Sequence, residues 1–135
     1  MANALYGKGR QAFLEGGIAI LSNDIKLNFL DAADYSVSID VDDFLDDIPG
    51  AAIVGTSGNF AGKTSTLGVF DATDVSVAAV SGDIFEALSI YKDSGAAGTS
   101  NLLAYIDSAT GLPFTPTGNT INVSWDNGAN KIWKL

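Results

Sequence analysis

DIKLNFLD, residues 24–31, is the stretch that sets the fold class. Ile25, Leu27 and Phe29 fall on one face of an extended chain, and Lys26 and Asn28 fall on the other. A period of two is the mark of a strand with one face buried. Downstream, β-branched and aromatic runs recur at 51–56, 64–70, 75–80, 84–92, 102–107, 120–125 and 131–135, separated by turn-forming residues. The spacing predicts a single, mainly β domain over 1–135, an antiparallel β-sandwich or compact barrel of about six to eight strands. Four breaks, LDAAD, FDATD, KDSGA and IDSAT, place an Asp after a strand-like residue and small residues after it. Such an Asp can accept the amide two residues on and close a turn. DNGAN, 126–130, carries Asn-Gly between INVSW and KIWKL, which predicts a C-terminal hairpin.

Two segments break the β pattern. In NALYGKGRQAFLEGG, Tyr6 and Phe13 lie seven apart, as do Leu5 and Ala12, and Gly16-Gly17 ends the run. That is a short helix. Gly7 and Gly9 each weaken it by about 0.8–1 kcal/mol relative to Ala. Residues 1–16 are therefore expected to be a docking helix or arm, and deletion of 2–14 to leave a folded β domain. In DVDDFLDDIPG, residues Val41, Phe44, Leu45 and Ile48 follow helical spacing, with Asp42, Asp43, Asp46 and Asp47 opposite. Asp40 is placed as N-cap and Pro49-Gly50 as the stop, predicting a second short helix over 41–48. A calcium loop fails here at Phe44 and lacks its glycine.

The chain has 16 acidic and 7 basic side chains, a net charge of −9, and neither Cys nor His. That charge opposes nucleic acid and anionic membranes. Thiol chemistry, imidazole bases, disulfides and Cys/His metal sites are excluded. The missing thiols fit synthesis in a reducing cytoplasm. No apolar run reaches the roughly 20 residues of a membrane span. Glu15 and two glycines interrupt the N-terminal apolar run, which argues against a signal peptide.

SGNFAGKTS, 57–65, ends like a nucleotide-binding P-loop. Gly58 leaves the spacer before Gly62-Lys63-Thr64 one residue short, and the following sequence is strand-like rather than helical. It is expected to be a turn, with no nucleotide bound. Glu86, aligned with Ile84, Leu88 and Ile90, is either a strand-edge charge or an acid in a cleft. Trp125, Trp133, Tyr91 and Tyr105 are expected to pack in the core or at an interface, a sugar-stacking platform being the alternative. No set of residues makes a nucleophile, base and orienter, and no catalytic, cofactor or metal residues are assigned.

NALYGKGRQAFLEGGI, FLDDIPG, SGDIFEALSIYKDSG, LLAYIDSATGLPFTPTG and WDNGANKIWKL together resemble small virion structural proteins of tailed bacteriophages, most closely capsid decoration (cement) proteins. The resemblance spans nearly the whole chain. It implies a non-enzymatic protein made in the bacterial host cytoplasm and seated on the virion's capsid surface, with the major capsid protein as partner. A homo-oligomer, with a trimer favoured, suits that place. Tyr6, Phe13, Leu14, Trp125 and Trp133 are the candidate interface. A tail or baseplate component and a virion-displayed carbohydrate-binding module are the alternatives.

Overall fold

The computed structural model describes residues 3–135. It is mainly β with antiparallel sheets and one α-helix. The largest sheet contains β1 (Ala4–Leu5), β2 (Asp24–Leu30), β3 (Ile53–Thr56), β7 (Ala87–Asp93) and β8 (Leu102–Ile106), in the order β1-β8-β7-β2-β3. A three-stranded sheet orders β10 (Trp133–Lys134), β5 (Val69–Asp71) and β4 (Thr64–Thr66). A third pairs β6 (Val75–Val77) with β9 (Ile121–Val123).

β2 and β7 form the spine, in register from Asp24 opposite Asp93 to Leu30 opposite Ala87. The expected strand at 24–31 is present, but it is buried on both faces rather than one. Ile25, Leu27 and Phe29 join Leu88, Ile90, Phe60, Phe70, Phe85 and Ile121 in one core. On the other face, Leu30, Ala87, Tyr91 and Leu102 pack under Tyr6, Tyr35, Ile48 and Ala52. Thr56 Oγ1, on the neighbouring strand, donates to Asn28 Oδ1 at 2.7 Å, which satisfies the carbonyl half of this buried amide, while Asn28 Nδ2 has no partner among the described residues.

At the end of the spine Lys26 Nζ lies 2.6 Å from Asp93 Oδ2, and Gly95 N donates to Asp93 Oδ1. The Lys26 bond, more than the Gly95 amide, holds the Asp93 carboxyl below its ordinary value of 3.8. A carboxyl with a lowered folded pKa stabilises the fold fully above its unfolded value, and that stability is lost as pH falls through the folded one. Asp93→Asn should therefore lose about 2 kcal/mol at neutral pH. Urea titrations should show the deficit hold from pH 7 to 5 and close only below the ordinary carboxylate range.

The N-terminal helix is present as α1 (Gly7–Leu14), preceded by the unexpected β1. It ends where Glu15 N and Gly17 N donate to Gln11 O and Ala12 O, with Gly16 at φ 78°. Its glycines are seats rather than weak points. A Cβ on Gly9 would stand 2.4 Å from the Leu102 carbonyl oxygen, so only glycine lets α1 lie on β8.

The internal helix at 41–48 does not form. Leu45–Asp47 is one 3-10 turn, followed by another at Gly50–Ala52. The Asp side chains close tight local turns instead. Asp42 Oδ2 accepts Ser38 N and Tyr35 Oη, and Asp47 Oδ2 accepts Asp43 N. Around Phe44 the chain bridges to Asn101, with Leu45 N donating to Ser100 O and Leu102 N to Asp43 O. Pairing with the start of β8 replaces the helical turns. Asp40, the expected N-cap, instead faces Arg10 at 3.4 Å on the surface.

The expected strand 64–70 is a hairpin, β4–β5, turning at Leu67 (φ 52°) and Gly68 (φ 79°). Two successive positive φ values match the twist of a tight hairpin. The Asn-Gly hairpin expected between 120–125 and 131–135 is absent: β9 pairs with β6, and β10 with β5. Asp126 Oδ1 takes Gly128 N, and Trp125 N is given to Asp74 Oδ1, so the flanking chain is drawn to other partners. Of the four Asp turns, Asp31 accepts Ala33 N and Asp93 accepts Gly95 N as expected. After Asp71, Thr73 N goes to Ala61 O, and at Asp107 the side chain of Asn3 accepts both Asp107 N and Ser108 N.

Candidate partner interface

The five candidate interface residues separate into a buried one and a surface group. Tyr6 is fully buried at the join between β1 and α1. Its ring meets Tyr105 edge-on at 6.5 Å, and Tyr35 meets Tyr105 at 6.3 Å. Tyr35 Oη donates to Asp42 Oδ2 at 2.6 Å, so Tyr6 Oη, 3.0 Å from Tyr35 Oη, is the donor of that second bond. Burial pushes both phenols well above their ordinary range, and for Tyr35 donation to Asp42 adds to it. They stay neutral and supply no phenolate. Tyr6 belongs to the core, so the stretch through Leu14 is no detachable arm.

Phe13 and Trp133 are brought together. Their rings meet at 6.5 Å, and Trp133 leans on Phe70 at 4.7 Å. Phe70 stacks on Phe60, and Phe60 meets Trp125 at 5.5 Å. Trp125 Nε1 donates to Thr73 O. Both indoles are half-buried against the core, while Tyr91 and Tyr105 are buried. The four do not form an open platform for sugar rings.

Beside Phe13 and Trp133 lies an apolar groove of about 210 Å³, walled also by Ile18, Ile20 and Phe70. Leu14, next to Phe13, is 88% exposed. Leu67, at the β4–β5 tip, is 92% exposed, and Leu135, whose amide donates to Gly68 O, is 57% exposed. The sequence reading took Leu14 and missed Leu67 and Leu135. The signal for Leu67 was the Leu-Gly pair between two Thr/Val-rich runs, which marks a tight turn with an apolar residue at its tip.

Lys63 is half-buried, and its Nζ donates to Asn23 O. Strand β4 follows it where a P-loop needs a helix. Lys63→Ala should therefore leave Mg-ATP binding undetectable, as in the parent protein, when followed by calorimetry. Micromolar affinity lost in the variant would reverse that conclusion. Glu86 precedes β7, and its Oε2 accepts Ala32 N at 2.8 Å, which ties the end of β2 to the start of β7. Asp31, Asp34 and Asp83 bring carboxylate oxygens within 4.8 Å of one another, a cluster the sequence reading did not identify. Asp31 Oδ1 is already committed to Ala33 N, and Asp34 and Asp83 are exposed. Another pocket, about 230 Å³, is lined by the stacked rings of Phe29, Phe85 and Phe114 and by the 109–112 loop. It offers shape without a charged group.

No helix among the described residues is long and apolar enough to cross a membrane. The chain matches no protein-family model and no curated protein.

Proposed function

We propose that this chain is a non-enzymatic structural protein of a phage virion that decorates the outer surface of an assembled capsid and stabilises it. The observation that carries the reading is an exposed apolar cluster, Leu67 and Leu135 with the adjoining Phe13–Trp133 groove, on a chain of net charge −9. Exposed apolar patches on otherwise polar surfaces mark contacts with other macromolecules. The scaffold is read as a β-sandwich: the β4–β5–β10 and β6–β9 strands contribute Phe70, Val75, Val77 and Ile121 to the core against one face of the main sheet.

A protein that binds the assembled lattice but not the free subunit stabilises the lattice by mass action. The gain is about 2.7 kcal/mol per site at a free concentration 100 times Kd. A small symmetric oligomer adds simultaneous contacts, and a trimer suits a three-fold position. The acidic exterior keeps the unbound protein soluble and away from packaged DNA. Heating shells with and without added protein tests this. Saturating protein should raise the temperature at which shells release DNA, with uptake scaling with shell area. No uptake, or a few copies at one vertex, would instead favour a tail or baseplate component.

A further inference from the structure

We infer that the Leu67 hairpin tip is a knob that docks in the Phe13–Trp133 groove of a second copy of this chain. Three features of the molecule converge on it. First, Leu67 breaks two local rules together: it holds φ 52°, a conformation disfavoured for a bulky residue, and it leaves its side chain 92% exposed. Asparagine or glycine at the first position of such a turn would remove both penalties. A residue that violates local preference with nothing gained inside its own fold points to an outside contact.

Second, the recess adjoins the knob. Gly68 of the tip and Ser65 of β4 line the groove together with Phe13, Ile18, Phe70 and Trp133. Knob and recess on one face are what a contact between like copies requires. It closes reciprocally as a pair, or head-to-tail as a ring of three.

Third, charge selects this face for self-contact. Seven of the sixteen acids lie within 31–47, a stretch without Lys or Arg, whereas 64–70 carries no charge and Lys134 stands beside it. Two copies of net charge −9 repel least when they meet here. A single knob and a groove of about 210 Å³ make a contact smaller than the ~800 Å² per partner of a standard interface. The contact is therefore reversible and concentration-dependent when the protein is free.

The inference rests on the proposed function only for its oligomer, and its test uses the isolated full chain with no shell present. Sedimentation equilibrium from micromolar to millimolar protein should show the parent chain associating to a dimer or trimer. Leu67→Asn should weaken that association roughly ten- to hundredfold, the value of one fully buried leucine. Its melting temperature should hold or rise, because Asn accepts the left-handed conformation. Ser65→Arg, which plugs the groove from an exposed position, should weaken association similarly. Loss in either variant with the fold intact supports the contact. A parent chain that stays monomeric at millimolar concentration overturns it, as does unchanged association in both variants.

Discussion

Tyr6→Ala should lower the unfolding free energy by about 3–5 kcal/mol, the range for emptying a large aromatic site in a packed core. Tyr6 is fully buried, so its whole ring volume becomes cavity, and the edge-on contact with Tyr105 goes with it. Tyr6→Phe isolates the hydroxyl. It should lose only about 1 kcal/mol, because Tyr35 keeps its bond to Asp42. Denaturant melts of both variants separate the two effects. A loss below about 1 kcal/mol in Tyr6→Ala would return the N-terminal segment to the status of a removable arm. The same packing predicts that deleting 2–14 leaves a protein without a stable fold, since β1, the Tyr6 site and the α1 contact with β8 all go.

Gly9→Ala is the second large effect, and its sign is diagnostic. On helix propensity alone, the substitution should stabilise α1 by about 1 kcal/mol. The structure predicts a loss of about 3 kcal/mol, at the upper end of overpacking, because the added methyl meets a backbone oxygen that cannot swing away. Gly16→Ala bounds the steric part from the other side: nothing lies near its Cβ position, so only the φ of 78° opposes it. A Gly9→Ala protein melting above the parent would show that α1 does not rest on β8.

Alternation along 24–31 made the central strand legible, because a side-chain period of two survives any context. Burial of its second face was not legible. Lys26 and Asn28 marked that face as wet, whereas the 31–52 segment covers it and supplies Tyr35, Ile48 and Ala52. The same segment misled at 41–48, where apolar spacing suited a helix. Spacing counts side chains on a face but does not show that Leu45 N, which a helix would give to Val41 O, pairs with Ser100 O instead. At the C-terminus, Asn-Gly is a strong local signal, yet β9 and β10 are only three and two residues long and pair with β6 and β5. Runs that short are placed by tertiary partners rather than by the turn between them.

The candidate interface was legible in part for a related reason. Sequence finds apolar residues but not which of them stay outside. Phe13 and Trp133 line the groove, and Leu14 is exposed at the end of α1. Tyr6 lies in the core, and Leu67 was absorbed into a strand that is in fact a hairpin.

The central claim, that this chain binds an assembled capsid lattice, is tested most directly by co-sedimentation with purified phage shells lacking it, alongside the unassembled major capsid protein. The account predicts saturable binding to shells, at a copy number that scales with the lattice, and little binding to the free subunit. Equal affinity for subunit and shell, or no binding to shells at saturating protein, would contradict it.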